Sequence, residues 1–508
     1  MIFETISPEQ AGLSSRHVSA FLRALEARGL AMHSVLLMKG DRILAECYWE
    51  PFDANTCHRM YSQTKSYTAM AIGLLASEGK LSLDDRIVDH FPEKLDAPPH
   101  PFLAKQTIRD MLTMRTACEA PFWFTAGDPD RTHLYLNRAK IVRPAGTLFA
   151  YDSAGSQVLA SLVEKLSGKT LFAYLEEKVF RHLGTFRTAT ILQTPNGDSW
   201  GDSALVCTPR DMASFARLLM KGGAWNGRQL LDADFVRDAT TRQTSSLHCA
   251  ATHDRHGYGY QIWMHEKPGF AFYGMGCEYS VAMTDKDLLL VCTADNQYCP
   301  SARDVLFAAL FDHIYEHEGD TPLPEDPEAL ADLRDLCATR ALCTASGSPH
   351  EPLAEEINGR VYVCEPNPMG ITRYSLHFLP DGTGEFRYTN AQGDKVLPFG
   401  LCRNVFTRFP QDGYSNERGG VRTTDGFRYR CASSAAWQTA NKLALRVQII
   451  DRYLGSLLAV FGFQGDDAMV YMEKAAEDFL DEYEGSLVSH AEETQEIPAC
   501  IQNQFPVH

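Results

Sequence analysis

The first 320 residues carry strand patterns near both ends, with a long and mainly helical stretch between them. Two apolar runs flank a Lys-Gly-Asp-Arg turn and predict a β-hairpin over 33–45. Apolar runs typical of strands return towards the end of this stretch, at 258–263, 279–283 and 288–292, and a helix is predicted over 302–317. Such distant strands bury their apolar faces best within one sheet, so the pattern predicts an α+β unit whose terminal segments share a sheet.

A proline-rich stretch at 321–327 marks a change of pattern. A short helix is predicted around 328–336, and beyond it strand patterns alternate with Asp-Gly and Gly-Asp turns. At 508 residues the chain is too long for one core, and this region predicts a small all-β domain, either a barrel or a sandwich. Its aromatic core is expected to include Trp437, Tyr453, Phe461 and Phe463. We therefore expect four parts, with bounds 1–320, 321–350 (linker), 351–495 and 496–508 (tail).

Composition narrows the range of partners and locations. The chain has 48 Lys and Arg against 65 Asp and Glu, a net charge of −17, which argues against a nucleic-acid surface. No basic and apolar leader begins the sequence and no run of about eighteen apolar residues occurs, so we expect no membrane partner and a cytoplasmic location. The fourteen cysteines are scattered without a Cys-x-x-Cys pair, which favours free thiols.

The first chemical motif is Ser62-Gln63-Thr64-Lys65, at the start of a helix predicted over 65–77. Side chains three positions apart on a helix lie on the same face, so Lys65 can reach Ser62. A neutral lysine amine can take a proton from a serine hydroxyl, and a nucleophile at a helix N-terminus gains from the helix dipole. The same spacing also arises by chance in many helices, so the motif alone does not decide the function.

A second candidate group lies about ninety residues later, where Tyr151 and Ser153 follow a turn at 144–150. A tyrosine beside an ammonium group can relay a proton between a serine and a leaving group. Ser153 would add a hydroxyl to the same network. The alternative is an ordinary surface-loop tyrosine.

The third candidate group is Gly274, Met275, Gly276 and Cys277, directly before the strand predicted at 279. Glycines there would let a substrate lie against the strand edge. The amide of Cys277, together with that of Ser62, would then form an oxyanion hole. The alternative is a plain glycine turn that leads into a strand.

In order and spacing, the three groups resemble the serine β-lactamase and penicillin-binding superfamily, in the branch of class C β-lactamases, esterases and D-aminopeptidases. Further similar segments lie at 58–66, 78–85, 107–114, 208–213 and 258–263, and the resemblance covers about residues 5–318. It implies a β-lactamase/transpeptidase-like fold, an antiparallel sheet flanked by helices with an all-helical subdomain. It also implies Ser62 as nucleophile, Lys65 as activator and Tyr151 as proton relay.

In the same comparison Ser153 takes the place of the family's Asn or Ser, and residues 274–276 take the place of Lys-Thr-Gly or His-x-Gly. The chain therefore lacks the cation that helps to hold a substrate carboxylate. The nylon-oligomer hydrolase branch similarly lacks it, so acylation need not fail. We expect a serine hydrolase that cleaves an amide or ester of a small molecule or short peptide through an acyl-serine, ahead of a β-lactamase. A non-catalytic binding or regulatory protein is the other alternative.

No cofactor and no metal are expected, because His133, His248, His253 and His256 lack the spacing of metal ligands. Trp123, Asp130 and Arg131 lie in the segment that shapes the pocket rim in the family, although solvated loop residues are the simpler interpretation. The β domain could be a lid, a filter for substrate size or a dimer contact, and a homodimer is one expected assembly.

Overall fold

The structure is a computed structural model that describes residues 3–119, 127–413, 419, 426–477 and 479–492. Helices α1 to α13 span, in order, Ser15–Ala27, Thr64–Ser77, Ile87–His90, Ile108–Leu112, Arg131–Arg138, Ser153–Ser167, Leu171–Leu175, Arg181–Leu183, Pro209–Met220, Ala233–Ala239, Ala302–His313, Pro327–Ala338 and Leu353–Ile357. Within the described ranges, no helix has both the length and the apolar character needed to cross a membrane.

Strands β1 to β13 belong to the first part of the chain and span Glu4–Thr5, Met32–Lys39, Arg42–Tyr48, His58–Arg59, Cys118–Glu119, Lys140–Ile141, Thr190–Ile191, Leu205–Cys207, Ala224–Trp225, Arg228–Gln229, Gly269–Tyr273, Tyr279–Met283 and Leu288–Ala294. Strands β14 to β23 follow and span Val361–Cys364, Arg373–Phe378, Thr383–Asn390, Gly393–Leu401, Val405–Arg408, Arg430–Thr439, Lys442–Ile450, Leu454–Gln464, Asp467–Ala476 and Gly485–Ala491.

A six-stranded sheet joins the two ends of the first part, in the order β1-β3-β2-β13-β12-β11. The pairings are antiparallel except for β1 with β3, and β2 meets β13 with Leu37 opposite Leu290. The predicted sheet shared by the terminal segments is thus confirmed. The hairpin predicted over 33–45 is β2 and β3, which turn at Gly40 with φ 59°.

Both faces of this sheet are covered, because alternate side chains of β2 point to opposite sides. Leu36 and Met38 pack in one apolar cluster with residues of α2 and α9. Val35 and Leu37 pack in a second cluster with residues of α1 and α11. The sheet is therefore a middle layer between helices. Tyr67 of α2, the helix that carries Lys65, lies with its ring 6.5 Å from that of Phe272 in β11.

The strand predicted at 258–263 is wrong. Gln261 has φ 57°, so the chain turns back and Tyr258 pairs with Trp263 through an isolated bridge. Gly259 lies so close to the Ala239 carbonyl that an added Cβ would be 2.0 Å from that oxygen. The aromatic and apolar residues that predicted a strand here instead pack around this turn. The edge strand of the sheet is β11, which the sequence did not reveal.

The C-terminal strands form a closed nine-stranded barrel in the order β17-β16-β15-β14-β23-β22-β21-β20-β19, and β18 adds to β19 outside the ring. Closure comes from a short parallel pairing of β17 with β19 at Gly400 and Ser434. The prediction of a small all-β domain is confirmed, and of the two alternatives it is the barrel. The expected aromatic core is confirmed too, since all four of its members are buried: Trp437, Tyr453, Phe461 and Phe463.

The barrel core continues into the first part of the chain. Leu192, Trp200, Ala204 and Val206 precede or belong to β8, yet they belong to the same apolar cluster as the barrel interior. The two units therefore share one buried core at their seam, and this seam lies next to the segment that ends in Ser62.

Candidate active site

Ser62 lies in a short 3-10 turn, Tyr61–Gln63, that leads directly into α2. Tyr61 has φ 45°, a left-handed conformation that is costly for a residue with a side chain and that is found mainly where surrounding contacts enforce it. Gln63 is buried, donates to the Glu278 carbonyl at 3.1 Å and accepts from Ser280 Oγ at 2.8 Å. These contacts hold the turn against β12. Ser62 therefore lies at the start of the helix, as predicted.

Lys65 lies on the first turn of α2, with its side chain only 1% exposed. Its Nζ donates to Ser62 Oγ at 2.9 Å and to the Asp202 carbonyl at 2.7 Å, and the Asp202 carboxylate lies 3.8 Å away. Burial raises the pKa of the Asp202 carboxyl, against the opposing charges of Lys65, Arg131 and Arg59. The amine is thus aimed at the hydroxyl from a buried position.

Tyr151 faces the same amine, with Lys65 Nζ 5.3 Å from the centre of its ring. The ring stacks on Trp263 at 5.7 Å, and the tyrosine remains 42% exposed. The structure therefore brings Ser62, Lys65 and Tyr151 together, although Tyr151 follows the other two by almost ninety residues in the sequence. Trp263 fixes the ring plane and was not anticipated.

The start of α6 holds the Tyr151 segment in place. Asp152 is the N-cap of α6: its carboxylate accepts from the Gly155 amide at 2.9 Å and from Thr116 Oγ1 at 2.7 Å. Burial raises the pKa of Asp152, against these hydrogen bonds. Ser153, predicted to join the site, is the half-buried first residue of α6.

The third candidate group forms the turn between β11 and β12 and ends just before Tyr279, as predicted. The Gly274 amide donates to the Glu278 carbonyl at 2.8 Å, and Met275–Cys277 form a 3-10 turn between them. An added Cβ at Gly274 would be 2.4 Å from the Met60 carbonyl, so this turn touches the residue two positions before Ser62. Gly276 and Cys277 have φ 78° and 77°, and the Cys277 side chain is buried.

Two buried carboxyl groups lie beside this turn. Glu278 is fully buried, and burial raises its pKa well above the ordinary value. Burial also raises the pKa of Asp295 to about 6. The sequence prediction missed both residues, as it missed Asp202, because a single acidic residue in an apolar stretch gives no periodic signal.

Arg131 is not a solvated loop residue. It is 3% exposed, begins α5 and lies with its guanidinium 4.5 Å from the centre of the Trp200 ring. Burial lowers its pKa to about 10, while Asp202 acts in the opposite direction. Asp130 caps α5 by accepting from the His133 amide at 2.9 Å, and Trp123 lies outside the described residues.

Three of the four histidines weighed as metal ligands contact other groups. His133 contacts Asp128 and Asp96, His248 Nε2 donates to the Phe149 carbonyl at 2.8 Å, and His253 contacts Asp304. Across the described part of the chain, no three His, Cys, Asp or Glu side chains form a group that could hold a metal ion.

The family model described as Beta-lactamase matches residues 16–312 of the 508. The chain belongs to the beta-lactamase family. Every candidate site residue from Ser62 to Cys277 lies inside the beta-lactamase match, and the barrel lies outside it. The resemblance inferred from the motifs is thereby confirmed.

Relatives in the beta-lactamase family include a 6-aminohexanoate-dimer hydrolase from Paenarthrobacter ureafaciens, 26% identical over 216 residues, or 40% of this chain and 55% of that protein. An Escherichia coli (strain K12) protein named "Putative D-alanyl-D-alanine carboxypeptidase" is 25% identical over 308 residues, or 46% of this chain and 71% of that one. The chain thus spans about half the length of the first of these relatives.

A solved structure described as "Putative 6-aminohexanoate-dimer hydrolase from Bacillus anthracis" superposes with a TM-score of 0.52. It covers 63% of this chain and 88% of its own, at 18% identity. At that identity the likeness shows the beta-lactamase fold alone.

Proposed function

We propose that this protein is a serine hydrolase that cleaves an amide or ester bond of a small molecule or short peptide through a covalent acyl-serine. The observation that carries the proposal is the 2.9 Å hydrogen bond from Lys65 Nζ to Ser62 Oγ, with the Tyr151 ring facing the same amine. A hydroxyl hydrogen-bonded to an amine, with a tyrosine facing that amine, supplies the groups that a serine acyl transfer needs.

In the acylation step, Ser62 Oγ forms a bond to the substrate carbonyl carbon while its proton passes to Lys65 Nζ. The oxyanion is stabilised by the Ser62 amide and an amide of the turn at 274–277, Cys277 in the sequence prediction. The intermediate then collapses: the carbon–nitrogen or carbon–oxygen bond breaks, and the leaving amine or alcohol receives a proton through Tyr151.

In the deacylation step, a water molecule attacks the acyl carbon and gives its proton to the same Lys65 and Tyr151 pair. The ester bond to Ser62 breaks, the acid product leaves, and Oγ recovers a proton. Tyr151 is 42% exposed, so its hydroxyl has access to both substrate and water. The cycle needs no cofactor.

The turn at 274–277 supports linear amides and esters ahead of β-lactams. It carries no cation, whereas a basic side chain there would attract the carboxylate of a β-lactam or of a terminal D-alanine. The Paenarthrobacter relative is named a 6-aminohexanoate-dimer hydrolase, and the bond that joins two aminohexanoate units is an amide. We therefore expect faster turnover of p-nitrophenyl butyrate and of a short peptide p-nitroanilide than of the β-lactam nitrocefin.

We also propose the division into residues 1–320, a linker at 321–350, a β domain at 351–495 and a tail. The six-stranded sheet ends with β13 at Ala294 and the first barrel strand begins at Val361, which supports a boundary between the two units. Helix α12, within the proposed linker, packs through Leu333 and Leu336 in the apolar cluster of α1 and α11. Ser153, Met275 and Gly276 are proposed to line the substrate site.

A labelling experiment tests the hydrolase. Wild type is expected to react with a fluorophosphonate probe, and Ser62→Ala is expected to lose the label completely. Ser77→Ala, at the exposed far end of the same helix, is the matched control and is expected to label like wild type. Equal labelling of wild type and Ser62→Ala, or no labelling of either, would favour the non-catalytic binding protein instead.

A further inference from the structure

Arg59 ties the segment that ends in Ser62 to the segment that holds Lys65. It lies in β4, three residues before Ser62, and its side chain is fully buried. Its Nε donates to the Ser203 carbonyl at 3.0 Å and Nη2 donates to Ser203 Oγ at 2.9 Å. Ser203 follows Asp202, whose carbonyl accepts from Lys65.

The third nitrogen of the same guanidinium, Nη1, contacts the barrel. Arg59 Nη1 donates to Glu477 Oε2 at 2.9 Å, and Glu477 directly follows β22. The Glu477 side chain is 24% exposed, so the ion pair is shielded from most of the solvent. One buried cation therefore links three segments: the one before the nucleophile, the one that holds the amine, and the end of a barrel strand.

A second contact from the barrel reaches the residue directly before Ser62. The Leu454 amide, at the start of β21, donates to Tyr61 Oη at 2.9 Å. The Leu454 carbonyl accepts from Gln297 Nε2 at 3.3 Å, which fixes this barrel strand against the first part of the chain. Tyr61 is the residue with φ 45°, and an outside contact helps to hold that strained conformation.

Glu477 also sets the electrostatic environment of Arg59. Burial acts to lower the pKa of Arg59, and Glu477, Tyr61 and Tyr453 together more than offset it, so that the pKa is raised, with Glu477 the largest of the three. Asp202 is a second carboxylate that interacts with Arg59, and it also interacts with Lys65. Loss of Glu477 would therefore draw Asp202 away from the amine that contacts Ser62.

We propose that Glu477 and the backbone amide of Leu454 are positioning groups for the nucleophile, acting through Arg59 and Tyr61, so that the barrel is a working part of the active site. The inference rests on the proposed function, since it concerns the geometry of the same Ser62 and Lys65. Neither group touches substrate, and both act on the residues that flank Ser62.

The test is the saturation kinetics of fluorophosphonate labelling, which separate probe binding (KI) from bond formation (kinact). In Glu477→Gln, kinact is expected to fall roughly ten- to a hundred-fold with KI unchanged within two-fold, because a displaced nucleophile slows the bond-forming step. Glu477→Asp keeps the charge and is expected to restore most of kinact. Tyr61→Phe, which removes one oxygen atom, is expected to lower kinact several-fold. Glu385→Gln is the matched control, because Glu385 pairs with Arg387 within the barrel, and it is expected to behave like wild type.

The outcomes separate the two proposals. A wild type that never labels overturns the proposed function, and this inference with it. A wild type that labels while Glu477→Gln and Tyr61→Phe keep kinact within two-fold overturns this inference alone. Circular dichroism shows whether each variant is folded. If Glu477→Gln does not fold, Tyr61→Phe decides.

Discussion

At the scale of single residues, Gly274 is where the turn at 274–277 packs against the segment that leads to Ser62. The turn between β11 and β12 presses against the Met60 carbonyl there, with no room for a side chain. Backbone fills the space in which a Cβ at this position would lie. A lysine or histidine, the family's cation, would therefore not fit where this chain has Gly274.

Gly274→Ala is expected to destabilise the fold by about 1–3 kcal/mol and to slow labelling of Ser62, because its Cβ would collide with backbone that cannot move away cheaply. Urea unfolding gives the free energy, and probe labelling gives the rate. Gly462→Ala is the matched control: Gly462 lies in β21 with no atom within 4 Å of an added Cβ. A Gly274→Ala protein as stable and reactive as Gly462→Ala would contradict the close packing.

The sequence predicted Ser62, Lys65 and Tyr151 as candidates because each belongs to a short motif with its own spacing. It could not predict Asp202 or Arg59, whose partners lie more than a hundred positions away and leave no local pattern. The orientation of Tyr151 also escaped prediction, because it depends on Trp263, which belonged to a segment predicted as a strand.

A buried histidine gives a pH dependence that can be measured. Burial lowers the pKa of His58 from 6.5 to about 4, so the unfolded chain takes up a proton more readily than the folded one between these values. The stabilisation is complete above pH 6.5 and is lost as the pH falls towards 4, by up to roughly 3 kcal/mol for such a group.

His58→Phe removes this titration and keeps an aromatic ring beside Phe52 and His33. Urea unfolding at pH 7 and pH 4.5 is expected to show a smaller loss of stability on acidification in the variant than in wild type. An equal loss in both proteins would show that His58 does not contribute. Buried carboxyl groups such as Asp295 act in the opposite direction in both proteins, so they cancel in the comparison.

At the scale of elements, helix ends are fixed by local chemistry that the sequence shows directly. Helix α9 packs on the sheet and begins with a capping box: Thr208 Oγ1 accepts from the Asp211 amide at 3.3 Å, and Asp211 Oδ2 accepts from the Thr208 amide at 2.8 Å. Thr208 and Pro209 begin the segment 208–213, which is one of those that resemble the family. The residues that cap α9 therefore also contribute to the family resemblance.

Thr208→Ala is expected to lower the free energy of unfolding by about 1 kcal/mol, because one helix-end amide loses its acceptor. Labelling of Ser62 is expected to remain unchanged. Thr339→Ala, at the exposed C-terminal end of α12, serves as the control and should change stability by less than about 0.5 kcal/mol. Matching losses in the two variants would argue against the cap.

Element prediction succeeded where periodicity and burial agree, and failed where they diverge. The hairpin β2–β3 alternates its apolar side chains between two packed layers, and α2 carries large apolar residues at helical spacing, so both elements follow their patterns. Residues 258–263 are largely buried and turn back on themselves, so an apolar run there did not mean a strand.

At the scale of the whole molecule, the two units are joined by apolar packing and by charge. Trp200 and Val206 lie in the barrel's apolar cluster, and Arg59 and Tyr61 contact Glu477 and Leu454. The sequence indicated two units and a linker but could not show that their cores merge, because the contacting residues lie far apart along the chain.

Heating is therefore expected to unfold both units in one transition, since neither can open without exposing the shared core. Far-ultraviolet circular dichroism and tryptophan fluorescence should give the same midpoint, and probe labelling of Ser62 should disappear at that temperature. Two separated transitions, with labelling lost in only one of them, would show that the units unfold independently.

The pairing of β2 with β13 has a consequence for biosynthesis. Met32–Lys39 emerges from the ribosome long before Leu288–Ala294, an interval of about 250 residues, or on the order of ten to fifty seconds at ~5–20 residues per second. For that time a strand with five apolar residues out of eight lacks one of its two neighbours and is open to pairing with other chains. A nascent chain that stalls before residue 288 is thus a natural substrate for chaperones that cover exposed strand edges.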